Sequence, residues 1–150
     1  MTSNKVVGLL VVATLLLAGC ERIDPNSPLG QRKAIFKDMM KTSEDLGGML
    51  RGRLIFDEEK FVAGAQHLDV ISRQPWQHFP QVKDSERTSA RDDVWQRQER
   101  FNELARAQEE ATAALVAATT RRPLEPRDLM APMQRVEDAC ESCHKEFRAY

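Results

Sequence analysis

Apolar residues recur at every third or fourth position through four stretches of the chain, and this spacing constrains the fold more than any other feature. The stretches cover about residues 31–51, 57–73, 90–119 and 126–150. A helix with one apolar face gains most of its stability when that face packs against a partner. Four such helices predict an all-α, antiparallel four-helix bundle, with a long crossover over residues 75–89 between the second and third helices.

The start of the fourth helix is ambiguous because of Pro132. A proline in a helix interior removes a hydrogen bond and costs about 3 kcal/mol, whereas the first turn of a helix tolerates it. The sequence therefore favours a start near Ala131 over a start near Pro126.

The N-terminal residues differ in character from the rest of the chain. Lys5 precedes the apolar run Val6–Ala18, and Cys20 follows the small residues Ala18 and Gly19. The run is shorter than the roughly 20 residues of a membrane span and is typical of a bacterial secretory signal. We expect a lipoprotein signal peptide over residues 1–19, cleaved before a lipidated Cys20. The alternative is a retained anchor helix with an unmodified Cys20.

The residues after this signal predict where the protein resides. Pro25, Pro28 and Gly30 make residues 20–30 a flexible tether, and the bundle domain then covers residues 31–150. We expect the lipid on Cys20 to hold this domain on the periplasmic side of a bacterial membrane. Glu21, rather than Asp, after that cysteine favours the outer membrane.

The charge balance excludes one class of partner. Lys and Arg number 22 and Asp and Glu number 23, which gives a formal net charge of −1. No basic stripe stands out along the sequence, so nucleic acid is not an expected partner.

The other two cysteines form the segment Cys140-Glu141-Ser142-Cys143-His144, close to the C-terminus. Cys-x-x-Cys-His is the pattern to which c-type haem is attached. Thiols at positions i and i+3 share one helix face, so both can add to the vinyl groups of one porphyrin edge, and His144 can then bind the iron. A structural zinc site would need four ligands, and only His67 and His78 remain. A thiol–disulfide centre would be expected at the start of a helix in a βαβ unit.

A Cys-x-x-Cys-His motif on the last helix of such a bundle resembles the cytochrome c′ family, the four-helix class of c-type cytochromes. The resemblance covers about residues 31–148, and its most specific part is Cys140 to Arg148, read as C-x-x-C-H-x-x-F-R. The weaker matches occur in the family's order, and they are Arg32-x-x-x-Phe36-x-x-Met39, Pro75-Trp76-x-x-Phe79, and Val94-Trp95 with Phe101.

The resemblance implies one covalent haem c, attached at Cys140 and Cys143, with His144 as the axial iron ligand. It places Arg148 beside the proximal face of the haem, that is, the His144 side. Further positions implied to contact the haem are Arg32 and Arg91, which would meet the propionates, Lys33, where many relatives have Gln, and the packing residues Met39, Trp76, Phe79 and Phe101.

The residue at position 36 decides the coordination that the resemblance implies. Low-spin relatives of the cytochrome c-556 type have Met there, over the distal face of the iron, and its sulfur is the sixth ligand. Phe36 has no atom that can bind iron, so a five-coordinate, high-spin haem is expected under an apolar lid. If the helix register is shifted by a turn, Met39 or Met40 could be the ligand instead.

An open, apolar distal face of the haem predicts the binding of small diatomic gases, NO and CO. The corresponding role would be to buffer NO or to protect against it. The alternative is a six-coordinate electron-transfer cytochrome with a redox partner protein. An enzyme is not expected, since a peroxidase needs a distal acid or base and none stands at position 36. The resemblance also implies a homodimer formed through helices one and two.

Overall fold

A computed structural model describes residues 23–81 and 87–150 of the protein. The predicted signal peptide and Cys20 lie outside these residues, as does part of the crossover. Within the described ranges, no helix combines the length and the apolar character that a membrane span requires.

Five α-helices occur in the described residues, and they are α1 (Pro28–Leu50), α2 (Glu58–Ser72), α3 (Asp93–Gln96), α4 (Gln98–Ala118) and α5 (Pro126–Phe147). The long helices α1, α2, α4 and α5 pack on one another as a bundle, and a short 3₁₀ turn, Trp76–His78, lies in the crossover. The predicted all-α four-helix bundle with a long crossover is confirmed.

Helix α1 begins earlier than predicted. The side chain of Ser27 accepts a hydrogen bond from the backbone N–H of Gly30 at 3.1 Å and caps the helix. Pro28 occupies the first turn, where its missing N–H costs nothing. Pro28–Gly30, predicted to belong to the tether, are therefore helical: the Ser-Pro pair is a helix start and not only a loop signal.

Helix α5 also begins earlier than the favoured start at Ala131, which was wrong. Pro126 opens the helix and Pro132 lies inside it, buried among the packed helices. The free energy gained by burying the apolar Pro132 ring thus offsets the backbone hydrogen bond that the helix loses at this position. The rule that excludes proline from helix interiors was outweighed by tertiary contacts.

The predicted third helix, 90–119, is divided in two. Arg97 leaves the helical region (φ −122°, ψ 49°) and separates α3 from α4. The separate α3 carries Val94 into the core, while the adjoining Trp95 donates an indole hydrogen bond to the carbonyl of Pro80 at 2.7 Å. The hydrogen bond from Trp95 thus holds the crossover against the bundle.

Buried side chains form two clusters. The larger cluster fills the bundle interior around Phe61, Leu68, Leu115 and Val136. The smaller cluster lies near the C-terminus of α5 and consists of Val94, Phe101, Leu104 and Phe147, with partly buried Trp76, Phe79, Ala90, Trp95 and Cys143 packed against it. The smaller cluster holds the predicted aromatic residues Trp76, Phe79, Trp95 and Phe101, whereas Phe36 packs against the larger cluster.

Candidate haem site

Helix α5 presents the Cys-x-x-Cys-His motif from its last two turns. Cys140, Cys143 and His144 are all half-buried. Burial raises the pKa of both cysteine thiols to about 11, so both are protonated at neutral pH. A thiol–disulfide centre needs a lowered thiol pKa, so this environment argues against one.

The imidazole of His144 is suited to metal binding. Burial lowers the pKa of His144, and the positive charge of Arg148 lowers it further. A neutral imidazole keeps a nitrogen lone pair available, which is the form in which histidine binds a metal. The backbone N–H of Arg148 donates the last helical hydrogen bond, to the carbonyl of His144 at 3.1 Å, and the extended backbone of Arg148 then ends the helix.

A cavity of about 610 Å³ opens in front of the motif, between α1, the crossover, α4 and α5. Its volume falls within the roughly 300–1,000 Å³ that cofactor sites occupy. The predicted site residues in its lining are Arg32, Lys33, Phe36, Met39, Trp76, Phe79, Phe101, Cys140, Cys143, His144 and Arg148.

Aromatic rings make a continuous wall of this cavity. Phe36 meets Trp76 edge-on with ring centroids 5.8 Å apart, and Trp76 meets Phe101 at 5.9 Å. Phe101 also contacts Phe79 at 4.9 Å and Phe147 at 5.3 Å. Edge-to-face pairs of this kind contribute about 0.5–1.5 kcal/mol each beyond their burial, so the wall is a rigid surface.

Arg32 connects α1 to the crossover. Its guanidinium is buried, donates to the carbonyl of His78 at 3.0 Å and to Oγ1 of Thr88 at 3.4 Å, and lies 4.6 Å over the ring of Phe79. The guanidinium thereby holds the crossover over one end of the cavity. Its predicted contact with a propionate stays a prediction.

Arg91 is the one predicted haem-site residue that the structure leaves outside the cavity lining. Its side chain is exposed, and its backbone N–H donates to the carbonyl of Phe147 at 2.9 Å. The neighbouring Ala149 N–H donates to the carbonyl of Ser89 at 2.8 Å. Residues 89–91 thus tie the C-terminal strand-like segment to the crossover through their backbone, and the propionate contact predicted for Arg91 stays a prediction.

Glu146 fixes α5 against the neighbouring helix. One carboxylate oxygen accepts from Arg100 at 2.8 Å and the other from Arg97 at 2.7 Å. These arginines, Arg100 first, hold the pKa of Glu146 below its usual value. The pairing orients the helix face that carries Cys143.

Two buried N–H groups in the cavity lining have no hydrogen-bond partner within the described part of the chain, and they bear on whether a cofactor fits there. The indole Nε1 of Trp76 and the amide Nε2 of Gln108 are buried without a hydrogen-bond partner among the described residues. Both residues line the cavity, and an unsatisfied buried donor costs about 1–3 kcal/mol. A cavity lined by aromatic rings and by two unpaired donors fits a large, mainly apolar cofactor that also carries some polar atoms.

Sequence reasoning missed Gln108. It lies in α4 within a polar, Ala- and Glu-rich stretch, where a glutamine is ordinarily solvent-exposed. The structure buries it, and the thiol of Cys140 donates to its Oε1 at 3.3 Å. The only sequence signal is its spacing of seven residues from Phe101, two helical turns along the same face.

The zinc alternative finds no support in the described residues, where no group of three or more His, Cys, Asp or Glu side chains is placed to hold a metal ion. His67 pairs with Asp38 at 2.9 Å on the surface, away from the cavity lining.

A helical bundle whose last helix presents Cys-x-x-Cys-His to an aromatic cavity defines a haem protein of the c type. The chain belongs to the cytochrome c′ family, whose profile, described as Cytochrome C′, matches residues 27–148. The protein therefore binds one covalently attached haem c with its iron.

Solved structures share this fold. Cytochrome c′ from Shewanella frigidimarina is 23% identical, with a TM-score of 0.77 over 87% of this chain and 100% of that chain. A ferrous variant of cytochrome c′ from Alcaligenes xylosoxidans with bound NO is 21% identical (TM-score 0.74, 87% and 99% covered). A CO-bound variant of the same protein is 22% identical (TM-score 0.74, 87% and 100% covered). No curated protein sequence matches the chain.

Proposed function

We propose that this protein binds NO and CO at a five-coordinate haem iron held by His144, with Phe36 covering the open face. The observation that carries the proposal is the position of Phe36. Its ring lines the cavity and packs edge-on against Trp76 and Phe79, at 5.8 and 6.4 Å between centroids. This packing supports a site in which an aromatic hydrocarbon, and not a sixth ligand, would face the iron.

Covalent attachment would use the two cysteines of α5. Each thiol would add across one vinyl group, with a C–S bond formed at one vinyl carbon and the thiol hydrogen transferred to the other. Cys140 and Cys143 are one turn apart and both line the cavity, which suits two bonds to one porphyrin edge.

His144 and Arg148 would set the proximal side. The neutral imidazole of His144 would supply the axial nitrogen. Arg148 directly follows the last residue of α5; it is exposed, and its guanidinium lies 5.7 Å from the ring of Tyr150. A positive charge there favours an anionic or polar molecule on that face.

The distal wall would select for small neutral molecules. Water and anions need hydrogen bonds that the rings of Phe36 and Phe79 do not offer, so their binding against these two rings is disfavoured. NO and CO need little or no hydrogen bonding, and structural neighbours of this protein hold these two gases. Bound haem iron supplies the coordination chemistry for both.

The methionine alternative is less well supported by packing. Met39 is buried in the main core cluster, and Met40 is 56% exposed. Both reach the cavity lining, but Phe36 is the α1 residue that packs into the aromatic wall.

A gas titration tests the proposed function. The purified haem-loaded protein is reduced and titrated with NO and with CO while the Soret band is recorded. The proposal predicts a saturable spectral shift with each gas. A spectrum that neither gas changes, together with rapid electron exchange with an external redox protein, would instead establish the electron-transfer role.

The membrane attachment is a second part of the proposal, carried by the sequence alone. We propose that the mature chain begins at a lipidated Cys20 and lies on the periplasmic side of a bacterial membrane. Mass spectrometry of the mature N-terminus tests it: a diacylglyceryl-modified Cys20 is expected, and an intact Met1 with a free Cys20 thiol would refute it.

A further inference from the structure

Among the described residues, Gln108 is a buried polar side chain next to Cys140 in the cavity lining, and no part of the proposed function uses it. Only 3% of its surface is exposed, and it lines the cavity beside Cys140. Its amide Nε2 has no hydrogen-bond partner among the described residues, while its Oε1 accepts from the Cys140 thiol at 3.3 Å.

Attachment of haem at Cys140 changes this contact. The thiol hydrogen moves to a vinyl carbon, so the sulfur becomes a thioether that can accept a hydrogen bond but cannot donate one. The amide oxygen of Gln108 would then face a sulfur lone pair with no hydrogen between them. A half-turn of the terminal amide exchanges Oε1 and Nε2 in nearly the same space, because the two groups are alike in size.

We propose that, in the haem-loaded protein, the amide N–H of Gln108 donates a hydrogen bond to the thioether sulfur of Cys140. The exchange satisfies a donor that is otherwise buried and unpaired. It leaves an unpaired carbonyl oxygen, which proteins tolerate somewhat more readily than an unpaired N–H. The inference rests on the proposed attachment of haem at Cys140.

The hydrogen bond makes Gln108 a positioning residue for the haem edge. It restrains the sulfur from the α4 side, opposite the restraint that the α5 backbone supplies. The positive end of the N–H dipole also points toward the haem, where it stabilises the additional electron of the ferrous state.

The test compares Gln108→Leu and Gln108→Met, which remove the donor at similar volume, with Gln98→Leu, the same change at an exposed position of α4. Each protein is purified with its haem. Resonance Raman spectra are recorded in H₂O and D₂O, with the thioether C–S stretch identified by sulfur-isotope labelling of cysteine. The reduction potential is measured by spectroelectrochemistry.

We expect the C–S stretch to shift in D₂O in the wild type and in Gln98→Leu, and to lose that shift in both Gln108 variants. Their reduction potentials should be more negative than that of the wild type. If the C–S band responds to D₂O in the same way in all four proteins, the inference is overturned. A residue that only packs against the sulfur would not make the D₂O shift differ between the variants.

Failure of the underlying attachment is recognised separately. The pyridine haemochrome of the unfolded wild-type protein counts thioether bonds, because its α band lies at longer wavelength when a vinyl group is unreacted. If the wild type has two thioether bonds and its C–S stretch shows no D₂O response, only the hydrogen bond proposed for Gln108 is rejected, and the proposed attachment stands. Fewer than two in the wild type reject the proposed attachment itself.

Discussion

The ring of Phe36 stands edge-on against the indole of Trp76, with 5.8 Å between their centroids. The contact joins α1 to the crossover, two segments that are 40 positions apart in the sequence. It fixes the ring of Phe36 in the cavity wall, in a position from which it would cover one face of a haem held by α5. Under the proposed function, the coordination of the iron would therefore depend on a packing contact between two aromatic side chains.

Phe36→Met should convert the haem to a six-coordinate, low-spin form, because a thioether sulfur would replace a ring that cannot bind iron. The optical spectrum should gain the near-infrared Met-to-iron charge-transfer band, and the affinity for CO should fall. Phe36→Leu is the matched control and should stay high-spin. An unchanged spectrum in Phe36→Met would mean that position 36 does not face the iron.

Met39→Leu should leave the spectrum unchanged, because Met39 is a buried core residue and Leu has a similar volume. Its expected cost in stability is below about 1.5 kcal/mol. Loss of a low-spin signal in this variant would identify Met39 as the ligand. The same substitution at the exposed Met40 separates the two methionines.

Cys143→Ser should leave a protein with one thioether bond, because Cys140 remains on the same face of α5. The pyridine haemochrome should show one unreacted vinyl group, and haem should still stay on the chain in a denaturing gel. Ser142→Ala, at the exposed position between the cysteines, is the control and should keep both bonds. Two thioethers in Cys143→Ser would show that Cys143 does not carry the haem.

Phe61→Ala should destabilise the fold by about 3–5 kcal/mol without changing the haem spectrum. Phe61 is fully buried in the larger core cluster, whereas the aromatic wall of the cavity belongs mainly to the smaller one. Urea unfolding followed by circular dichroism measures the loss. Ile55→Ala, at a side chain 92% exposed, should change stability by less than about 0.5 kcal/mol.

Glu58 should make stability depend on pH. The side chain of Arg122 first, and then the backbone N–H of Leu124, hold its pKa below the ordinary value of 4.5. A carboxyl whose pKa is lower in the folded state stabilises the fold above its unfolded pKa and loses that contribution as the pH falls through the folded value.

Glu58→Gln should therefore be less stable than the wild type at pH 7, and the difference should shrink below about pH 4.5. Urea midpoints at a series of pH values measure it. Glu59→Gln makes the same charge change one residue away and controls for the helix dipole at the start of α2. A difference between Glu58→Gln and the wild type that persists unchanged into acid would exclude the linkage.

The sequence predicted the bundle because the apolar spacing of each long helix is local information. The haem-attachment motif at Cys140 to His144 could also be identified from the sequence, because it is defined by the spacing of neighbouring residues. Other features depended on tertiary contacts. Pro132 lies inside α5 with its ring buried, and Arg97 separates α3 from α4 where Trp95 donates to the carbonyl of Pro80 in the crossover.

Two site residues show the same limit. Gln108 looks like a surface glutamine in a polar helix and is placed beside Cys140 only by the packing of α4 on α5. Arg91 matches a family position in sequence, and the pairing of its backbone N–H with the carbonyl of Phe147 is a tertiary contact that the match does not predict. Whether a charged residue reaches a cavity is decided by the geometry of the chain around it, which a single sequence does not record.

The spin state of the wild-type haem decides whether Phe36 leaves the iron five-coordinate. Electron paramagnetic resonance of the ferric protein, with near-infrared absorption of the same sample, reports the number of axial ligands. With Phe36 over a vacant coordination position, we expect a high-spin ferric signal and no Met-to-iron charge-transfer band. A low-spin signal with that band would contradict it and make the protein a six-coordinate cytochrome.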